Sequence, residues 1–391
     1  MLRLRNPRHV RQLWAMALAA GAVASPLRAE QPYESYYRYL GEYPADANPG
    51  FHEDVQGVTH DLNNWFITQT ATVWKIPVSN SLIEVSGSDS GVLVRTFLNY
   101  PALLGVYDHF GDASYFEYAG VGYVVVATTG PGQPAAFVFF RASDLAYVGR
   151  AAVPGETDIG WCGIDPQGNL YTSESQASTI LKHTFDWAEL HAQGTFDLRF
   201  DEEIALRNSG GGGLTLHYMQ GGVFSPSGDR LYIVSGFYTD TNPDTEGIHV
   251  FDTSTWRRVE KSTNGYGLFN YEFHPTFDEA EEPEGLTYWD LDDGRAPGIR
   301  GQLHVFMLDN DLGSDEVYFK HYTGFVHVNQ AAPLLIEDGT LGFPFDTIAE
   351  GYNFAWAGAV LNIQSAAYNE TITMNKAVEL VARNGMVTIG N

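Results

Sequence analysis

A degenerate motif recurs along this chain, and its spacing limits the folds that the sequence can adopt. Each copy has a small or polar pair, an apolar strand, a turn of Asp, Asn or Gly, and a second strand. The copies begin near residues 56, 113, 161, 220 and 284, and the clearest runs from Gln220 to Val234. Intervals of this length suit the four-stranded blades of a β-propeller.

Short runs of β-branched and aromatic residues, bounded by turn residues, fill the space between the motif copies. Three of them, residues 72–77, 136–144 and 247–253, are predicted to be third strands of blades. Residues 184–191 are the one modest helix candidate. We therefore predict an all-β fold, a β-propeller of five blades, or of six if the N-terminal region contains another. A β-sandwich is the alternative, but it gives no reason for a motif to repeat at this spacing.

The N-terminal segment has the layout of a secretory signal peptide. Four arginines precede an apolar run from Leu13 to Ala24, and small residues at Ala24 and Ala29 offer two candidate cleavage sites. An uncleaved membrane anchor is the alternative, although the apolar run is short for a membrane span. We predict a signal peptide at 1–29, an N-terminal segment at 30–50, a propeller at 51–330 and a tail at 331–391, in a protein secreted to the periplasm or the exterior.

The predicted mature chain is strongly acidic. Residues 1–29 contain five arginines and no acidic residue, so the remainder has 17 basic and 48 acidic residues and a formal charge of −31. This charge disfavours nucleic acid and anionic lipid as partners. Cys162 is the single cysteine, so the exported protein must rely on its core without an internal disulfide.

Residues 52–325 resemble a family of exported bacterial β-propellers to which no activity is assigned. The text that carries the resemblance includes residues 53–61, Asp108 to Asp112, Trp161-Cys162, residues 220–222 and residues 284–291. The resemblance implies the propeller fold and export, and it transfers no activity.

Residues 343–391 resemble the opening coil of pectin-lyase-like parallel β-helices. The matching text is Tyr368 to Met374 and the closing Gly385-Met-Val-Thr-Ile-Gly390. A solenoid needs several coils to bury its faces, so one coil implies a short β-helix-like appendage. Such an appendage would dock on the propeller or present a surface to a partner.

The repeated motif also predicts a ligand site at the mouth of the central channel, because the inner strands of a propeller start around its axis. The alternative is that these polar groups only satisfy backbone groups and ordered water. The predicted ligand-binding residues are Gln56, His60, His109, Asp112, Trp161, Gln220 and Glu284, with Trp161 as a stacking surface for a sugar.

The mixture of histidine and carboxylate also suits a divalent cation, such as Ca²⁺. Residues 284–289 are faintly similar to the first metal-ligand motif of lactonase-type propellers. A second candidate is an acidic loop with oxygen ligands at alternate positions, which is also what an ordinary Asx-rich turn looks like. The predicted metal ligands are Asp54, His109, Asp112 and Glu284 in the channel and Asp240, Asn242 and Asp244 in the loop.

Three functions follow from these features. The first is binding of a glycan or small molecule at the channel mouth. The second is a metal-dependent hydrolase or lyase that uses the same site, and the third is a structural or adhesive surface protein with the tail as its docking element. Whether the protein is an enzyme stays open at this level.

Overall fold

The computed structural model describes residues 2–4, 37–237, 245–264, 267–271, 281–309, 314–332, 337, 339–355 and 359–390. The described residues fall into two compact units, which we treat separately. One is Tyr39–Tyr322, and the other combines the described residues up to Arg38 with those from Thr323 onward. The first strand, β1 (Leu2–Leu4), belongs to the second unit. The predicted signal peptide otherwise lies outside the described residues.

Five four-stranded antiparallel blades form the larger unit, which confirms the predicted all-β propeller. The first blade is β3 (Val55–His60), β4 (Asn64–Gln69), β5 (Thr72–Pro77) and β6 (Leu93–Thr96). The second is β7 (His109–Tyr118), β8 (Val121–Thr129), β9 (Ala136–Arg141) and β10 (Ala146–Ala152). The third is β11 (Gly163–Ile164), β12 (Leu170–Thr172), β13 (Thr179–Phe185) and β14 (Leu198–Ala205). The fourth is β15 (Met219–Phe224), β16 (Arg230–Ser235), β17 (Gly247–Asp252) and β18 (Arg257–Lys261).

The fifth blade takes its outermost strand from the N-terminal side of the chain. Its inner strands are β19 (Glu281–Tyr288), β20 (Leu303–Asp309) and β21 (Glu316–Thr323), and the strand beside β21 is β2 (Arg38–Glu42). Sequence reasoning did not assign a strand to residues 38–42, because this strand is not part of a repeat copy. Pairing the two ends of the propeller in one blade closes the ring.

Apolar clusters between neighbouring blades form the core. Trp65 and Ile67 of β4 pack with Phe306 of β20 and Phe319 of β21, for example, and all four are fully buried. Similar clusters lie between the first and second, second and third, and third and fourth blades. The β-branched and aromatic residues of each blade therefore face the next blade, as the strand pattern predicts.

Helices are short in the described parts of the chain. A 3₁₀ turn occupies Phe97–Asn99. Helix α1 (Trp187–Gln193) starts later than the predicted helix because Thr184 still belongs to β13, and the Asp186 side chain caps it by accepting from the Glu189 amide. None of the described helices has the length and apolar character needed to cross a membrane.

Parallel strands characterise the smaller unit. Its remaining elements are β22 (Phe325–Val328), α2 (Ile348–Phe354), β23 (Val360–Gln364), β24 (Ala367–Tyr368), β25 (Glu379–Arg383) and β26 (Val387–Ile389). β22, β23 and β25 pair in parallel, β24 pairs in parallel with β26, and β1 pairs antiparallel with β26.

The motif around Tyr368 has a structural explanation within this unit. Tyr368 is fully buried, and Glu370 accepts hydrogen bonds at 2.9 Å from the amides of Ile348 and Ala349 at the start of α2. The carboxylate therefore satisfies amides that a helix N-terminus leaves without partners. The β-helix resemblance of this segment stays a prediction.

A buried ion pair fastens the closing strand. Lys320 on β21 pairs with Glu42 on β2, and their side chains are 2% and 11% exposed. Tyr39 also donates to Glu42 Oε1 at 2.8 Å. Replacement of one partner of a buried pair leaves the other charge without compensation, which costs far more than loss of a surface pair.

We expect Lys320→Met to reduce the free energy of unfolding by about 3–5 kcal/mol, because it leaves Glu42 buried without its cation. The double variant Lys320→Met/Glu42→Leu should recover most of that loss. Lys182→Met is the matched control, since Lys182 forms a more exposed pair with Asp201, and it should change stability by about 0–1 kcal/mol. Urea unfolding of the three variants measures these differences. Equal losses in Lys320→Met and Lys182→Met would contradict the role of the buried pair.

Candidate functional site

Four of the five inner strands contain a β-bulge at the positions that the repeated motif marks. The strand register shifts between Val55 and Gly57 in β3, between Phe110 and Ala113 in β7, between Met219 and Gly221 in β15, and between Pro283 and Leu286 in β19. A bulge re-aims the side chain of the extra residue. The residues inside the four bulges are Gln56, Gly111, Asp112, Gln220, Glu284 and Gly285.

The Asp112 carboxylate lies where these strands converge, and it is fully buried. Its Oδ1 accepts from the Val58 amide at 3.2 Å, and its Oδ2 accepts from the Gly222 amide at 3.1 Å. The amides of Ala113 and Leu286 also donate to it. Asp112 therefore receives backbone donors from the inner strands of the first, second, fourth and fifth blades.

The third blade joins the same network through the backbone. The Asp112 amide donates to the carbonyl of Gly160, in the segment that leads into β11, at 2.9 Å. Burial raises the pKa of Asp112 well above its ordinary value, and the four backbone donors act in the opposite direction because they stabilise the charged form. Asp112 is thus a structural carboxylate whose oxygens are already occupied.

Glycine is required beside Asp112 because the strands approach one another closely. A Cβ added to Gly285 would lie 2.2 Å from Asp112 Oδ1 and 2.4 Å from the Cα of Gly57. A Cβ added to Gly57 would lie 2.5 Å from the Cα of Asp112. In each polar–glycine pair of the motif, the polar side chain points toward the axis. The glycine allows the backbone of a neighbouring inner strand to approach closely.

A second layer of polar side chains lies above Asp112, toward the solvent. His109 Nε2 donates to Gln56 Oε1 at 2.8 Å, and Gln56 Nε2 donates to Glu284 Oε1 at 3.5 Å. Gln220 Nε2 donates to Glu282 Oε2 at 3.5 Å. These five side chains come from four blades, and we call them the mouth cluster: Gln56, His109, Gln220, Glu282 and Glu284.

Exposure increases outward through the mouth cluster. Glu284 is 1% exposed, whereas Gln56, His109, Gln220 and Glu282 are half-buried. Carboxylates at the rim are exposed, namely Asp54, Asp108 and Asp158. Asp158 precedes the third blade and acts electrostatically on His109, so the rim also involves the blade that has no bulged inner strand.

Burial favours the uncharged forms of the inner residues of the mouth cluster. It raises the pKa of Glu284 well above the ordinary value, and Glu282 adds to the shift through its charge and a hydrogen bond. Burial lowers the pKa of His109, although nearby aspartates act against the shift. Burial also raises the pKa of Asp54, with further contributions from Asp315 and Glu53. The site therefore has a neutral floor beneath an acidic rim.

The structure does not bring every predicted site residue to the mouth. His60 lies at the other end of β3, where its Nε2 donates to the Tyr288 carbonyl at 3.0 Å and its ring stacks on Trp289. Burial lowers its pKa to about 4. Trp161 is fully buried in the core between the third and fourth blades, and its indole donates to Ser173 Oγ at 2.8 Å. A ring in this position has no exposed face for a sugar.

The predicted metal ligands of the channel, Asp54, His109, Asp112 and Glu284, do not have their ligand atoms all within 4.8 Å of one another. Among the residues that the structure describes, the one group of three acidic or histidine side chains with ligand atoms within 4.8 Å of one another is Glu337, Asp346 and Glu350, in the smaller unit. The oxygens of Asp112 are already engaged by backbone amides. The predicted loop ligands Asp240, Asn242 and Asp244 lie outside the described residues.

Sequence reasoning missed Glu282 and the rim residue Asp158. Glu282 is two residues from Glu284 on β19. Residues two apart on a strand point to the same side, so this spacing could have predicted that Glu282 joins the site. Asp158 lies in a loop before the third blade, and no pattern in the sequence marks it. Cys162 is fully buried, and burial raises the pKa of its thiol well above the ordinary value, which fits a core residue.

No protein-family model and no curated protein matches the chain. Solved structures similar in fold include a functionally unknown protein from Desulfotomaculum acetoxidans DSM 771, at 13% identity over 75% of this chain and 74% of that one, with a TM-score of 0.35. The native arabinanase of Bacillus subtilis is 13% identical over 72% and 96%, with a TM-score of 0.38. A gluconolactonase from Xanthomonas campestris is 11% identical over 68% and 72%, with a TM-score of 0.34. These similarities concern the fold alone.

We expect Asp112→Ala to destabilise the propeller by at least about 3 kcal/mol, because four buried amides lose their acceptor and each costs about 1–3 kcal/mol. Asp112→Asn should also destabilise, since the new amide group turns a donor toward backbone donors. Asp158→Asn is the control, because that carboxylate is exposed. Urea unfolding followed by circular dichroism gives the comparison. Wild-type stability in Asp112→Ala would contradict the assigned role.

Proposed function

We propose that the mouth cluster binds a small hydroxyl-rich ligand, such as a sugar or the end of a glycan. The observation that supports this proposal is the convergence of partly exposed donors and acceptors from four blades on one axis. Convergent polar groups at the mouth of a closed β architecture are the usual setting of a ligand site. Asp112 already accepts hydrogen bonds from the inner-strand amides beneath these residues. The polar side chains of the mouth cluster are therefore not needed to satisfy those amides.

The chemistry of the mouth cluster fits hydroxyl groups. Each glutamine side chain offers a donor and an acceptor, so Gln56 and Gln220 can each exchange two hydrogen bonds with neighbouring hydroxyls. The contacts of Gln56 Nε2 with Glu284 and of Gln220 Nε2 with Glu282 are long, at 3.5 Å, so a ligand can replace them at small cost, whereas Gln56 Oε1 also accepts from His109 at 2.8 Å. His109 donates to Gln56 Oε1 and so orients this side chain at the edge of the same surface.

The charge distribution also favours a neutral ligand that donates hydrogen bonds. Burial raises the pKa of Glu284 and lowers that of His109, so both shifts favour the uncharged form of the floor. The exposed rim carboxylates can accept hydrogen bonds from hydroxyls and repel anions. Phosphorylated or carboxylated ligands are therefore poor candidates. An exported location, which the N-terminal segment predicts, would bring such a site into contact with glycans outside the cytoplasm.

Hydrolysis is a second candidate, favoured by the hydrogen bond between Glu282 and Glu284. A carboxyl group that burial keeps protonated, beside a second carboxyl group, is an arrangement that supports general acid catalysis. This version needs no metal ion, in contrast to the metal-dependent hydrolase expected from the sequence. Turnover of a bound glycan that persists in the presence of chelator would favour it over binding alone.

The binding site is tested by substitution of one glutamine at a time. After a glycan array identifies a ligand, we expect Gln56→Ala and Gln220→Ala each to weaken its affinity about tenfold, because each removes about 1–2 kcal/mol of paired hydrogen bonding. Gln167→Ala is the matched control, since Gln167 is an exposed glutamine in a turn of the third blade. Isothermal titration calorimetry measures all three affinities.

Two outcomes would reject the proposal. Unchanged affinity in the Gln56→Ala/Gln220→Ala double variant would place the binding site elsewhere. Absence of binding to any neutral glycan or sugar on the array would reject the ligand class.

A further inference from the structure

Two buried histidines meet between the closing blade and its neighbour, away from the mouth cluster. His304 on β20 and His321 on β21 face each other in register, and they are 0% and 3% exposed. Their Nδ1 atoms are 2.9 Å apart. Neither ring takes part in the site described above.

Both outer nitrogens of the pair face backbone carbonyls. His304 Nε2 lies 2.9 Å from the Trp289 carbonyl, and His321 Nε2 lies 3.0 Å from the Tyr43 carbonyl. A carbonyl oxygen can only accept, so each Nε2 must carry a hydrogen. Two neutral imidazoles have two N–H hydrogens in total, and the two carbonyls use both.

A third hydrogen is needed for the contact between the rings. In the neutral pair, the two Nδ1 lone pairs would point at each other across 2.9 Å, a distance at which nitrogen atoms normally share a hydrogen. A tautomer shift in either ring does not remove the conflict, because it places a lone pair against a carbonyl instead. The three contacts therefore require three hydrogens.

We propose that His304 and His321 share one additional proton, so that the pair is a single buried cation that latches the closing blade. The shared proton forms a charge-assisted hydrogen bond between the two Nδ1 atoms. The rings of Phe319 and Trp65 pack in edge geometry against the pair, with centroids 4.8 Å from His321 and 5.9 Å from His304. His321 then holds the Tyr43 carbonyl, which directly follows β2.

Burial opposes a doubly charged pair. It lowers the pKa of His321 to about 4 and that of His304 well below its ordinary value, and His321 lowers the pKa of His304 further. The same burial also opposes the first additional proton, so the proposal requires that the charge-assisted hydrogen bond between the rings outweigh this cost. A second additional proton would have no hydrogen-bond acceptor and would be repelled by the first positive charge. The pair therefore binds only one additional proton.

The surrounding titratable groups are already engaged. His60 stacks on Trp289, and Arg295 lies over the same indole and pairs with Asp293. On the β2 side, Lys320 pairs with Glu42. Asp290 and Asp292, which follow Trp289 in the chain, both accept hydrogen bonds from the side-chain amide of Gln302.

The proton count sets the pH dependence of the latch. An unfolded histidine has a pKa of about 6.5. In the proposed latch, the hydrogen bond between the rings outweighs burial and makes the folded pair bind its first proton more tightly than that, so its stabilisation is lost as the pH rises above about 6.5 through the folded value. It binds a second proton more weakly, so stability is also lost as the pH falls below about 6.5. The pair should therefore contribute a maximum in stability near pH 6.5.

Nitrogen-15 NMR of the imidazoles in the full chain at about pH 8 tests the proton count on the wild-type protein. We expect both Nε2 atoms of the pair to be protonated and one further proton to be shared between the two Nδ1 atoms. Two hydrogens in total, or a metal ion bound to the pair and detected by elemental analysis, would overturn the proposal.

The variant His321→Asn tests the latch separately. Its side-chain amide can donate to His304 Nδ1 without an added charge, so the fall in the unfolding midpoint between about pH 6.5 and pH 9 should be smaller than in the wild type. His191→Asn, at an exposed position on α1, should keep the wild-type profile. Identical pH profiles in wild type and His321→Asn, in a variant that folds, would also overturn the proposal.

Discussion

The Asp112 carboxylate lies where the inner strands of the propeller meet, and the closed ring depends on the hydrogen bonds that this carboxylate accepts. Backbone amides from four blades donate to it, and its own amide reaches the fifth. These amides belong to the innermost strand of each blade, which is an edge strand of its sheet and has no neighbour on the axial side to accept from them. A buried amide without an acceptor costs about 1–3 kcal/mol, so one carboxylate prevents several such penalties at once. The adjacent glycines are required because only they allow the strands to reach it.

The channel mouth and the blade closure follow from this axial constraint. Asp112 accepts from the strand amides below, and the half-buried Gln56 and Gln220 of the same bulges lie above it, where the proposed binding site uses them. A ring of blades built around one point must also be closed at its ends, and here the closing strand β2 is fastened by two buried polar contacts. These are the Lys320–Glu42 ion pair and the bond from His321 to the Tyr43 carbonyl. The hydrogen count of the His304–His321 pair makes the second contact sensitive to pH.

The repeated motif was sufficient to predict the propeller and most of the mouth, because strand pairing and bulges are local features with a sequence signal. Blade starts expected near 56, 113, 161, 220 and 284 fall at or near β3, β7, β11, β15 and β19. Trp161 shows the limit, since a large aromatic residue at a blade start can turn into the core instead of the channel. The closing strand and the histidine pair depend on contacts between distant segments, and nothing in their own sequence marks them. The cation set was inferred from residue types, whereas backbone amides occupy the oxygens of Asp112.

Amide hydrogen exchange at Val58 and Gly222 tests the axial role of Asp112 most directly, because both amides donate to its side chain. If the carboxylate joins the blades, these amides exchange only through global unfolding of the propeller, and their exchange free energies equal that of the most protected core strands. In Asp112→Ala, they should exchange through local opening while the apolar strands β8 and β9 stay protected. Rapid exchange of Val58 and Gly222 in the wild type, or unchanged protection in the variant, would contradict the account.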